Sequence, residues 1–118
     1  AKKKNIKNVV VWGTGKPLRE FMFVDDFSKA LVRVAERYSS DDPINIGTGH
    51  EISIKKLAKL ICKLTSYKGK IIFNKKYPDG TPRKILDNKK IIKIGWKPDH
   101  SLSDGIKKSI EDYYKLIS

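Results

Sequence analysis

Trp12-Gly13-Thr14-Gly15-Lys16-Pro17-Leu18-Arg19-Glu20-Phe21-Met22-Phe23-Val24-Asp25-Asp26, preceded by the apolar run Val9-Val10-Val11, is the stretch on which the reading of the fold turns. The β-branched residues of the run favour a pleated strand. Gly13 and Gly15 bend the backbone after it, because glycine takes positive φ without a Cβ clash, and Pro17 fixes the exit. Phe21 and Phe23 alternate with Met22 and Val24 as a short returning strand. Asp25 or Asp26 then supplies the side-chain oxygen that caps the first helix. The stretch reads strand, glycine turn, strand, capped helix, with Arg19 carried to the junction of turn and strand. A stiff turn can aim an arginine at a ligand from there; a solvated surface arginine is the plain alternative.

From this stretch the chain runs on as a small α/β domain. The first helix, from about Asp26, places Phe27, Leu31 and Val34 on one stripe beside Ala30 and Ala35. It ends in the loop Ser39-Ser40-Asp41-Asp42-Pro43. Ile44-Asn45-Ile46 is predicted as a three-residue strand turned by Gly47 and Gly49. Ser53 caps a second helix with the stripe Ile54, Leu57, Ala58, Ile61 and Leu64. After Gly69, residues 70–73 form a strand. Pro78 and Pro82, with Gly80 between them, make a stiff exposed loop. Asp87 opens a short helix that ends at Gly95, and Trp96 anchors the core. Ser101 or Ser103 caps the last helix, where Leu102, Ile106, Ile110, Tyr113 and Ile117 recur at helical spacing. The expectation is three or four helices and about four short strands, with no internal repeat, in a single domain over 1–118.

Composition narrows the class. At 118 residues, 39% hydrophobic and 33% charged, the chain suits one globular domain with a modest core. No apolar run approaches the ~20 residues that cross a bilayer, so no membrane partner is expected. The lone Cys62 cannot form an internal disulfide, which points to a reducing, cytoplasmic setting. A beginning at Ala1 rather than methionine fits a fragment. The net charge of +13 raises the question of nucleic acid. Beyond a cluster at Lys2, Lys3, Lys4 and Lys7, however, the lysines are spread along the whole chain. Phe21, Phe23, Trp96 and Tyr113 fall on apolar stripes rather than among the cations. That pattern describes a solvated surface better than a nucleic-acid footprint.

Several motif-like features fail. Gly13-Thr14-Gly15-Lys16 lacks both the earlier glycine and the following Ser/Thr of a phosphate-binding loop. Gly47-Thr48-Gly49 follows a strand and precedes a helix, but Ile52 stands where a dinucleotide fingerprint needs glycine. His50 and His100 lie in turns, far apart and with no cysteine at metal-ligand spacing. Asp25-Asp26 and Asp41-Asp42 are explained by capping and solvation. No nucleophile–base pair or carboxylate dyad emerges, so no catalytic residue is assigned.

The run WGTGKPLREFMFVDD resembles the corresponding stretch of the GDP-L-fucose synthases, NADP-dependent 3,5-epimerase/4-reductases within the extended short-chain dehydrogenase/reductase superfamily. Pro78-Asp79-Gly80-Thr81-Pro82-Arg83-Lys84 is more specific to that branch, and Ile44-Asn45-Ile46-Gly47-Thr48-Gly49 is common to the superfamily. The resemblance runs from about Val9 to the C-terminus. It implies the smaller C-terminal, substrate-binding part of such an enzyme, with residues 1–8 as the tail of a truncated helix. It further implies that the glycine motif for NADP(H), the Ser-Tyr-Lys centre and the epimerisation residues belong to an absent N-terminal Rossmann domain. No cofactor is therefore expected on this chain. Four positions carry over as contacts to a GDP-sugar: Trp12 as a wall of the site, with core packing as the alternative, Arg19 as a cation, Asp79 as a polar partner and Lys84 as a second cation. Phe23 departs from the many relatives with histidine there, so any polar link at that point is lost. The orphaned strand at Ile44-Asn45-Ile46 implies self-association through its unpaired backbone. The rivals are another nucleotide-sugar epimerase or dehydratase domain, and a basic nucleic-acid-binding module.

Overall fold

The structure, a computed structural model, describes residues 1–117. Nine elements follow in order: β1 (Asn8–Trp12), β2 (Leu18–Glu20), α1 (Val24–Arg37), β3 (Glu51–Ser53), α2 (Ile54–Leu64), β4 (Lys70–Asn74), β5 (Arg83–Lys84), α3 (Lys89–Lys93) and α4 (Leu102–Ile117). They divide between two compact units, each made of two separate segments. One unit holds residues 1–19 and 52–84; the other holds 20–51 and 85–117.

In the first unit β1 and β4 form a parallel pair, with Val9 opposite Ile71, Val10 opposite Ile72 and Val11 opposite Phe73. Strand side chains alternate between faces. Val9, Val11, Ile71 and Phe73 are accordingly half-buried, while Val10 and Ile72 are exposed. Gly13 extends the pairing by donating its N–H to Asn74 O at 2.9 Å. β5 runs parallel to β2, with Leu18 opposite Arg83 and Arg19 opposite Lys84, in a three-stranded sheet of order β3-β2-β5. Ser53 caps α2 as its spacing predicted, accepting the Lys56 N–H at 3.2 Å.

The second unit carries the core, in which Ala30, Ile91 and Trp96 are buried and Met22, Val34, Ile44, Ile46 and Ile94 pack against them. Trp96 is the anchor its position predicted. Ala30 and Val34, four residues apart on α1, face inward, whereas Phe27 and Leu31 remain exposed. Ser101 caps α4, its Oγ accepting the Asp104 N–H at 3.1 Å. Tyr113 on that helix is 58% exposed, so it does not lie on a buried stripe, and Phe21 is exposed too.

Three local expectations are corrected. The second strand is Leu18–Glu20 rather than Phe21 to Val24, and it pairs with β5 instead of returning along β1. Two residues of the Pro-Asp-Gly-Thr-Pro-Arg-Lys stretch thereby become strand, because Arg83 and Lys84 lie beyond the last proline and keep their ladder donors. Ile44-Asn45-Ile46 is not a strand: among the described residues no strand pairs with it, and its isoleucines are used in the core. Finally, neither aspartate caps α1. The N-cap is Phe23, with no side-chain hydrogen bond, and Asp26 is turned inward to only 1% exposure.

Candidate functional site

The four residues singled out by resemblance all belong to the first unit; Trp12, Arg19 and Asp79 lie at one short loop, residues 77–80, and Lys84 is on the strand after it. Asp79 reaches back to the glycine turn. Its carboxylate accepts the Thr14 backbone N–H and the Thr14 hydroxyl, each at 2.6 Å. The approach is so close that a Cβ on Gly13 would collide with Asp79 Oδ1, and one on Gly15 would collide with the Phe73 ring. Both glycines also have positive φ, +84° and +75°, a region that costs an L-residue roughly 1–2 kcal/mol. The turn is thus fixed twice over as glycine, by backbone shape and by the neighbours' proximity.

Trp12 sits next to this clip. Trp12 is 67% exposed, so it is not packed into the core of these residues. One face stacks on Tyr77, with ring centroids 4.3 Å apart and planes 11° from parallel. Arg19 is half-buried on β2. One guanidinium N–H donates to its own Leu18 carbonyl at 2.7 Å, and the Arg19 side chain reaches to the edge of Gly80. Lys84, exposed on β5, is Arg19's register partner. Among the described residues, none of the ion pairs involves Arg19 or Lys84. Like charges on directly paired strand positions repel, and an anion between them would turn that repulsion into attraction. Tyr77 is the residue the sequence reading passed over. Its only signal was an aromatic side chain immediately ahead of Pro78.

The clip sets the ionisation of Asp79. The Thr14 hydroxyl hydrogen bond first, the Thr14 N–H second, and the nearby Lys16 charge hold its carboxyl below the usual carboxylate range. A folded pKa below the unfolded one means that the clip stabilises the fold at pH values above the ordinary value near 3.9. The contribution is lost as pH falls through the folded value. Thr14→Val removes the largest cause, so the Asp79 midpoint is expected to move up towards the ordinary value. Carbon-detected NMR titration of the side-chain carboxyl reads it, and an unchanged midpoint would mean that the hydroxyl bond does not hold the carboxylate.

In this role Asp79 is occupied by Thr14, so it shapes the turn. The same geometry answers whether this turn could cradle a dinucleotide. The Thr14 N–H that a phosphate would need is already taken by a carboxylate, and the glycines make room for Asp79 and Phe73. This turn therefore offers a phosphate no free Thr14 donor. A concavity of about 720 Å³ lies at the other end of β1 and β4, bordered by Lys2, Lys7, Lys68 and Lys70, and none of the four positions lines it. Among the described residues, no three His, Cys, Asp or Glu side chains gather to hold a metal ion. No helix there is long and apolar enough to cross a membrane.

The second unit holds a polar pair that the sequence reading did not foresee. Asp26 accepts the His100 backbone N–H at 3.1 Å and faces His100 Nδ1 at 2.9 Å. Phe23 meets the imidazole edge-on at 5.0 Å. The phenylalanine that departs from the expected histidine therefore packs against another histidine, 21% exposed, whose polar contact goes to Asp26.

The model of the NAD dependent epimerase/dehydratase family matches residues 1–47. The chain is 44% identical over 117 residues to GDP-L-fucose synthase 1 of Arabidopsis thaliana, an alignment covering 99% of this chain and 36% of that protein. It superposes on a GDP-6-OMe-4-keto-L-xylo-heptose reductase of C. jejuni with a TM-score of 0.83 at 34% identity, covering 95% of this chain and 35% of that one. A GDP-L-fucose synthetase of Naegleria fowleri bound to NADP gives a TM-score of 0.87 at 25% identity, with 93% and 35% covered. The chain thus spans about a third of the length of the relatives it matches.

Proposed function

We propose that this chain belongs to the NAD dependent epimerase/dehydratase family, whose model matches residues 1–47, and that it is the GDP-sugar-binding part of a GDP-L-fucose synthase. In that reading the complete enzyme converts GDP-4-keto-6-deoxymannose to GDP-L-fucose by epimerisation and reduction, so it is both isomerase and oxidoreductase. The hydride comes from NADPH, held by a part of the protein outside these residues, and the setting is the cytoplasm. This chain's own residues bind and orient. Arg19 offers its remaining guanidinium donors and Lys84 a point charge to the diphosphate. Trp12 walls the site, and Asp79 keeps the turn in shape through Thr14. The observation that carries the reading is the register pairing of Arg19 with Lys84, two cations without an acidic partner among the described residues, on the strands that flank the loop that resemblance points to.

Calorimetry on the 118-residue chain tests it, with GDP in one arm and a short oligonucleotide in the other. GDP is expected to bind and the oligonucleotide to bind only weakly, with an affinity that collapses in moderate salt. Tight oligonucleotide binding without GDP binding would sink the reading in favour of a basic nucleic-acid module. No NADPH turnover with a keto-sugar is expected from the chain alone, and turnover would show that catalytic groups have been overlooked. Self-association belongs to the same proposal, since residues 44–46 are paired by no strand among the described residues and can take up a second copy's backbone. Light scattering of the same sample, monomeric at every concentration, would remove it.

A further inference from the structure

Tyr77 is assigned no role by resemblance, yet it is the residue whose ring stacks on Trp12. The two rings are stacked at 4.3 Å and 11°, Trp12 is 67% exposed and Tyr77 is 42% exposed. A single stacked neighbour covers one face of an indole, so the other face is open to solvent. Large aromatic rings held flat at a surface are costly to leave wet. They are also the usual means of gripping another flat ring, because every nucleobase presents a π-face whatever its edge. The stack is held at its base. Trp12 adjoins Gly13, which donates to Asn74 O, and Tyr77 is two residues from Asp79, which is clipped to Thr14. Tyr77 donates its own N–H to Asn74 O at 3.3 Å, so both rings grow from one strand end.

We infer that Tyr77 is a positioning residue that backs Trp12 into a platform for the base of a purine nucleoside diphosphate. The inference rests on the GDP-sugar reading and deepens it: Arg19 and Lys84 take the diphosphate, and the ring pair takes the base. Tyr77 acts through Trp12, by closing one indole face and fixing the ring's plane, so that the ligand meets a surface already oriented. The contact uses the phenyl ring, and the hydroxyl is dispensable.

The test measures GDP and inorganic pyrophosphate by calorimetry on the wild-type chain, Tyr77→Ala and Tyr77→Phe. Pyrophosphate carries the charge without the base. Stacked bases are worth enough that Tyr77→Ala is expected to weaken GDP binding roughly tenfold. Pyrophosphate affinity should be unchanged, and Tyr77→Phe should match wild type for both. A loss of both ligands together in Tyr77→Ala would make Tyr77 a loop-shaping residue and overturn the inference. So would an alanine variant that binds GDP normally. Equal wild-type affinity for GDP and pyrophosphate would remove the platform and leave the diphosphate reading standing. Failure of the wild-type chain to bind either ligand would overturn the GDP-sugar reading itself, and the inference with it.

Discussion

Replacing His100 by alanine is expected to lower the stability of the protein by about 2 kcal/mol and its melting temperature by about 8 °C. Asp26 is 1% exposed, and its two hydrogen-bond partners are the backbone N–H and the ring of His100. Removing the ring leaves a carboxylate in a dry site with one donor in place of two. Leaving a buried polar group without its partner costs about 1–3 kcal/mol, since it keeps its desolvation penalty and loses its hydrogen bond. The middle of that range applies because the backbone N–H survives and the imidazole is partly wet. Removing both groups at once is a milder change, because no buried acceptor is then stranded. The double variant Asp26→Ala/His100→Ala should therefore be clearly more stable than the sum of the single losses. Denaturant unfolding of the three variants reads this. Additive losses, or a His100→Ala cost below about 1 kcal/mol, would show that the pair does not hold the second unit together.

Arg19→Ala and Lys84→Ala are each expected to weaken GDP binding by roughly ten- to a hundredfold, the worth of one charge-assisted contact of about 1.5–3 kcal/mol. Stability should move the other way. The two cations face each other on paired strands with no acidic partner among the described residues, so deleting either relieves a repulsion. The ligand-free melting temperature should hold steady or rise slightly. That opposite movement of affinity and stability is what distinguishes a binding cation from a structural one. Lys63→Ala, which removes the same charge from the exposed side of α2, is the control. If it weakened GDP binding as much as Lys84→Ala, the effect would be diffuse charge and the assignment of Lys84 would be wrong.

What was legible in the sequence is what is decided locally. β1 follows from three consecutive valines, the Ser53 cap from a hydroxyl three residues before a free N–H, and the two glycine bends from residue type alone. The exposure of Trp12 was within reach as well: if Val9 and Val11 face inward, a period of two puts Val10 and Trp12 outside. The misses have a common cause, partners distant in the chain. Asp26 could not be told from a cap because His100 lies 74 positions away. The Tyr77 ring has meaning only against Trp12, and residues 83–84 become strand only because Leu18 and Arg19 lie beside them. At Ile44-Asn45-Ile46 the local pattern is right for a strand, but strand formation needs a second backbone, and composition says nothing of its presence.

The discontinuous make-up of the two units bears on how the chain reaches this structure. β1 is made before its parallel partner β4, which follows 62 positions later, and nothing local can hold β1 in place meanwhile. Residues 20–51 likewise wait for 85–117 before Ala30 meets Ile91 and Trp96. A nascent chain or a cleaved fragment stopping near residue 51 would therefore carry two incomplete units. Its bare valine strand would then be open to pairing with the wrong neighbour. Both units thus close only when distant segments arrive, and the interval before β4 emerges leaves β1 open to aggregation.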